Sequence, residues 1–179
     1  MKLHLGCGAK YFKGYINVDG YDYEGQDTSR TDSKYDIKAY LQELPFKNNS
    51  IEEILLVHVI EHFCRWKTID LIKDFKRILK IGGRLIVEMP DLEQVAKLYV
   101  KHGRHGWRQI KTPLGKLSMA ATQFYGNQWD SLEYETHRYL WEKQEFADEL
   151  IKIGFKIEEL HNQTKFHVPE RDLRCIAIK

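Results

Sequence analysis

Apolar positions along the chain fall into short runs separated by polar turns, and the spacing inside each run indicates its element. Leu3-His4-Leu5 and Tyr15-Ile16-Asn17-Val18 read as two short strands. Ile54-Leu55-Leu56-Val57, within Ile51 to Ile60, is almost continuously aliphatic, which suits a strand covered on both faces in a parallel sheet. From Trp66 to Lys80 the period changes: Ile69, Ile72, Phe75, Ile78 and Leu79 recur at three- and four-residue steps, with Asp70, Lys73, Asp74, Lys76 and Arg77 opposite. This is the clearest amphipathic helix in the sequence. Gly82-Gly83 reads as its stop, and Arg84 to Met89 as the next buried strand, closed by Pro90. Asp91 then stands where an N-cap belongs, before a helix through Leu92, Val95, Ala96 and Tyr99. A last helix spans Glu142 to Ile153 and ends at Gly154; strands from Phe155 to Leu160 and Arg174 to Ile178 follow.

Two stretches break this rhythm. Gly20 to Lys34 reads as an exposed loop, leading to a short strand or turn at Tyr35-Asp36-Ile37. His102 to Trp141 shows no strand pattern and allows one helix, from Lys116 to Phe124. Insertions of that length tend to be lids or binding loops. The order of elements predicts a single α/β domain over residues 1–179: a mostly parallel sheet with helices on both faces, with 102–141 inserted before the last helix. In such sheets ligands collect at the carboxyl ends of the strands, where Gly6, Asp19, Asp36 and His58 are expected.

Composition narrows the classes. A hydrophobic content of 42% with 30% charged residues is ordinary for a globular domain. The formal charge of +2 is too small to imply a polyanion, and no helix-turn-helix pattern appears, so nucleic acid is disfavoured as a partner. No apolar run approaches the ~20 residues that span a bilayer, and no charged leader precedes the first strand, so a cytoplasmic location is expected and a membrane partner is not. Cys7, Cys64 and Cys175 are too scattered for a disulfide framework or a zinc spacing, and no metal site is read from the sequence.

The chemistry is concentrated at the start. Gly6-Cys7-Gly8 follows a strand, and Asp19 closes the next one. Glycine removes the Cβ that would block a ligand, and a carboxylate accepts hydrogen bonds from ribose hydroxyls, so the pair suits a nucleoside. Cys7 between two glycines is explained by space, since no flanking base is identifiable.

Six ordered motifs carry a resemblance: Leu-His-Leu-Gly-Cys-Gly, Ile-Asn-Val-Asp, Leu-Pro-Phe-Lys-Asn-Asn-Ser-Ile, His-Val-Ile-Glu-His, Ile-Leu-Lys-Ile-Gly-Gly-Arg-Leu and Met-Pro-Asp-Leu-Glu. Together they resemble the class I, Rossmann-like S-adenosylmethionine-dependent methyltransferases, most closely a small, poorly characterised subgroup. The resemblance implies an antiparallel last strand, S-adenosylmethionine as cofactor and S-adenosylhomocysteine as product. It implies that Leu5, Gly6, Cys7 and Gly8 line the methionine part, that Asp19 binds the ribose and that His58 lies near the sulfonium. Asp36 stands a few residues before the place of the acid that often contacts adenine. His4 and Lys10 depart from the commonest pattern, which carries an acid and a third glycine there.

For the acceptor, the expectation is a small molecule or glycan under the 102–141 insertion, contacted by Glu61, Tyr125, Trp129 and Trp141. His62 or His137 is expected to take the acceptor proton, because histidine is the usual general base near neutral pH. Two other readings stay open. One is a domain that binds S-adenosylmethionine without transferring its methyl. The other is a nicotinamide oxidoreductase, disfavoured because its glycine fingerprint would need glycine at Tyr11 and a longer gap to Asp19. The oligomeric state is not legible.

Overall fold

The computed structural model describes residues 1–20, 35–112, 115–126 and 135–179. In chain order the elements are β1 (Lys2–Leu5), β2 (Ile16–Asp19), β3 (Ile37–Lys38), β4 (Ile51–Val57), α1 (Arg65–Ile78), β5 (Leu79–Pro90), α2 (Leu92–His102), β6 (Gln109–Thr112), β7 (Gly115–Ser118), α3 (Met119–Gln123), α4 (Lys143–Ile153), β8 (Lys156–His161) and β9 (Asp172–Ile178). Seven strands form one sheet in the order β3-β2-β1-β4-β5-β9-β8. The first five run parallel, β9 runs antiparallel to β5, and β8 runs antiparallel to β9. This is the mostly parallel α/β sheet with an antiparallel last strand that the motif order implied.

The central strand explains the aliphatic run. Ile54, Leu55 and Leu56 are all fully buried, with alternate side chains on opposite faces of the sheet. Ile54 and Leu56 join the larger core, with Leu3, Leu5 and Leu85 from the neighbouring strands, Leu71, Ile72, Phe75 and Ile78 of α1 and Phe146 and Leu150 of α4. Leu55 and Val57 join Ile86 and Ile176 on the other face, where Phe12 and Tyr15 pack. At about 25 cal/mol per Å² of apolar area, burial of this kind is what drives the chain to this topology.

Two boundaries differ from expectation. Helix α1 ends at Ile78, and β5 begins directly with Leu79, which pairs with Ile51. The register then jumps to Glu53 opposite Arg84, so Gly82-Gly83 belongs to an irregularity inside a long strand and is not a helix stop. In the insertion, β6 and β7 pair antiparallel where no strand was expected. The proposed Lys116 to Phe124 helix is cut to α3, because Ser118 caps it by accepting from Ala121 N at 3.1 Å.

Candidate active site

The carboxyl ends of β1 and β2 are tied together. Gly6 N donates to Val18 O at 2.9 Å, and Gly8 N donates to Asp19 Oδ2 at 2.8 Å. Gly6 has φ +64°, and a Cβ there would stand 2.7 Å from Val59 Cγ2, so neither the conformation nor the space admits a side chain. At Gly8, φ is +51° and nothing lies within 4 Å of where a Cβ would be. The turn is thus closed on the protein side and open beside Asp19. Burial pushes the Cys7 thiol up to about 12, with Asp19 adding to the effect, so it stays protonated and unreactive at neutral pH.

Val59 brings in the second part of the site, because it belongs to the segment that follows β4. His58 has φ +55°, and its N–H donates to Glu88 O at 2.8 Å. Its Nε2 lies 2.8 Å from Asp172 Oδ2 and its Nδ1 lies 3.0 Å from Glu61 Oε1. Burial alone would lower its pKa, but Glu61 and Asp172 outweigh that and raise it to about 9, so His58 is an imidazolium between two carboxylates. Asp172 also accepts from Arg171 Nη2 at 2.9 Å and from Val168 N at 3.2 Å, while the His167 ring packs 3.9 Å from that of His58.

Glu61, at the next turn, is 1% exposed, and neither of its oxygens receives an aligned hydrogen bond. Burial pushes its carboxyl up, but the charge and contact of His58, with lesser contributions from the other two histidine rings, bring it down to about 2. Glu61 O accepts from Arg138 N at 2.7 Å, so the strand-like return of the insertion runs alongside it. That return carries His137, whose ring meets His62 edge-on with centroids 5.0 Å apart. His62 Nδ1 donates to Thr136 O at 3.2 Å, and His137 Nδ1 donates to Gln123 O at 2.6 Å. A carbonyl can only accept, so each ring carries a proton on Nδ1. Burial lowers His137 to about 4, which keeps it neutral.

A family model described as a methyltransferase domain matches residues 3–160. The chain belongs to the methyltransferase domain family. Solved structures agree on the fold. A Pyrococcus horikoshii protein superposes with a TM-score of 0.64 at 16% identity, covering 99% of this chain and 80% of that one. An S-adenosylmethionine-dependent methyltransferase from Methanosarcina mazei gives 0.62 at 18% identity, covering 99% and 91%. Another from Mesorhizobium loti gives 0.59 at 17% identity, covering 99% and 90%. No curated protein sequence matches the chain.

This methyltransferase uses S-adenosylmethionine, and the residues present fit it. A turn with no room for a side chain at Gly6, open at Gly8 and flanked by a buried carboxylate, is the cradle that an adenosyl ligand requires. The remaining expected residues divide. Leu5 is fully buried in the core, so only its backbone reaches this edge. Asp36 precedes β3 and therefore lies at its amino end, not the carboxyl end; it accepts from Asn17 N at 2.8 Å and from Tyr11 Oη at 2.9 Å. Its carboxylate is spent on shaping the β1–β2 connection, which displaces the expected adenine contact. Trp141 is fully buried between Tyr139 and Phe146, which makes it core and removes it from the acceptor contacts. Tyr125 is 69% exposed, while its backbone O accepts from His137 N at 3.2 Å. Trp129 lies outside the described residues.

The methyltransferase also has partners that the sequence reading missed. Arg171, Asp172 and His167 lie in the polar stretch between the two last expected strands, and Glu88 and Arg174 within expected strands. Glu88 pairs with Arg174 and accepts from Lys165 N and Phe166 N at 2.8 and 2.9 Å, both charged groups being buried. The one available signal was charge inside or beside an apolar strand, which implies a buried partner. No helix among the described residues is long and apolar enough to cross a membrane.

Proposed function

We propose that this methyltransferase moves the methyl group of S-adenosylmethionine to a hydroxyl of a small-molecule or glycan acceptor held by the 102–141 insertion. The observation that carries the reading is a meeting of three segments. Val59 seats the His58–His62 segment on the glycine turn, and His137 of the insertion closes on Glu61 and His62. When bound, the sulfonium supplies an activated methyl carbon and leaves as a neutral thioether. Gly6 and Gly8 admit the methionine part, and Asp19 accepts the ribose hydroxyls in a charge-assisted pair. The acceptor oxygen forms the new bond to carbon, and its proton passes to Nε2 of His62 or His137. Exposed Tyr125 offers an aromatic face of the kind that sugars stack on.

The test is release of S-adenosylhomocysteine across a panel of sugars, sugar phosphates and small alcohols. Turnover is expected with at least one acceptor and should fall about 100-fold or more in His137→Ala or His62→Ala. Full activity in both variants would remove the proton role. Tight cofactor binding with no turnover on any acceptor would favour a binding module.

A further inference from the structure

Glu61 is left incomplete by the protein around it. A carboxylate 1% exposed, with no aligned hydrogen bond to either oxygen, is strongly disfavoured unless a cation compensates it. His58 supplies a contact to Oε1 alone, and it divides its charge with Asp172. On another side stand His62 and His137, each with Nδ1 committed to a backbone carbonyl and Nε2 as its second ring nitrogen. Histidines that ligate metals are oriented in this way, the outer nitrogen fixed by a carbonyl and the inner one presented to the ion. One ligand atom from each of the three residues lies within 4.8 Å of the others, so movements of about 1 Å would gather them around one ion.

We propose that Glu61, His62 and His137 bind one first-row divalent cation through a carboxylate oxygen and two imidazole nitrogens. Two nitrogens in three donors favour Mn²⁺, Fe²⁺, Co²⁺ or Zn²⁺ over Mg²⁺ and Ca²⁺, which prefer oxygen. Three protein ligands leave open positions, and a cation there would polarise an acceptor hydroxyl, whose proton passes to solvent water as the oxygen–methyl bond forms. This role rests on the hydroxyl-methylation reading; with the ion bound, His62 and His137 serve as ligands and no longer as the base. The neighbouring trio of His58, His167 and Asp172 has comparable spacing but is already neutralised, since Arg171 Nη2 lies 2.9 Å from Asp172 Oδ2 and 2.8 Å from His167 Nδ1.

The experiment titrates the chelator-treated chain with CoCl2, reading visible Co²⁺ absorption and melting temperature, with a parallel melt in S-adenosylhomocysteine. One equivalent of Co²⁺ is expected to bind and raise the melting temperature. Glu61→Gln and His137→Ala should weaken it about 100-fold or more, and His167→Ala should not. The proposal is overturned if folded wild type shows no saturable binding up to about 1 mM, if Glu61→Gln binds like wild type, or if His167→Ala alone abolishes binding. A melting shift with S-adenosylhomocysteine but no cation binding removes the metal and leaves the methyltransferase site standing. Cation binding without that shift removes the reading of the glycine turn instead. Glu61→Gln keeps the side-chain size, and its own shift with S-adenosylhomocysteine reports that it is folded.

Discussion

Asp172 and Glu61 flank the same imidazole, and both are buried to within 1% of completely, yet they are different kinds of carboxylate. Asp172 receives a guanidinium, a backbone N–H and His58. Glu61 receives one misaligned charge contact and lies against the rings of His62 and His137. The first is complete within the protein and holds β4 to the start of β9. The second becomes complete only when something else arrives. Burial and charge do not separate a structural acid from a functional one; the donors that point at it do.

The largest expected effect tests the structural half of that contrast. Asp172→Asn leaves Arg171, 1% exposed, without its counter-charge, and should cost about 3–5 kcal/mol in urea unfolding. Its pH dependence fixes the cause. Burial would raise the Asp172 carboxyl, but His167, His58 and Arg171 hold it far below the ordinary value of 3.8. A depressed carboxylate contributes its full stability above the unfolded pKa and loses it as pH falls toward the folded one. The gap between wild type and Asp172→Asn should therefore be full at about pH 6 and narrower at about pH 3. A gap independent of pH would mean that the substitution acts through packing.

A smaller effect is expected where the two halves join. Gly6→Ala puts a Cβ at φ +64° and 2.7 Å from Val59, costing about 2–3 kcal/mol from backbone strain and overpacking. Val59 carries the Glu61 side of the site and not the Asp172 side. S-adenosylhomocysteine binding should fall about tenfold or more, to the extent that about 1.4 kcal/mol of the strain is relieved only in the free protein. Asp19→Ala provides the companion measurement. Loss of a charged acceptor should weaken S-adenosylmethionine by about 10- to 100-fold, and an unchanged affinity would mean that the turn had been misread.

Much of this was legible in the chain because it is local. The glycine turn, Asp19, the run in β4, the stripe of α1 and the Asp91 cap each declare themselves within a few residues, and Asp91 does accept from Glu93 N at 3.2 Å. The Asp172 network was hidden because its members come from positions 58, 167, 171 and 172, with Asp172 114 positions after His58. Only the pairing of β5 with β9 brings them together. Trp141 misled for a different reason: an aromatic that closes an irregular stretch reads the same whether it lines a pocket or fills a core. Gly82-Gly83 misled because a bulge and a helix stop call for the same residue. The β6–β7 pair was missed because only Ile110 and Leu117 are apolar in it, too few to show a period of two.

The smallest expected effect decides the comparison. Without added cation, Glu61→Gln should cost only about 1–2 kcal/mol, below the cost of Asp172→Asn, because one misaligned contact is lost and His58 keeps Asp172 as its partner. The measurement is urea unfolding of both variants under identical chelated conditions near neutral pH. If Glu61→Gln proves as costly as Asp172→Asn, Glu61 is a second structural anchor of His58, and its burial is explained without an ion. If the cost is small without cation but the variant also fails to gain the melting shift that Co²⁺ gives wild type, then the stability invested at Glu61 is stability that arrives with a ligand.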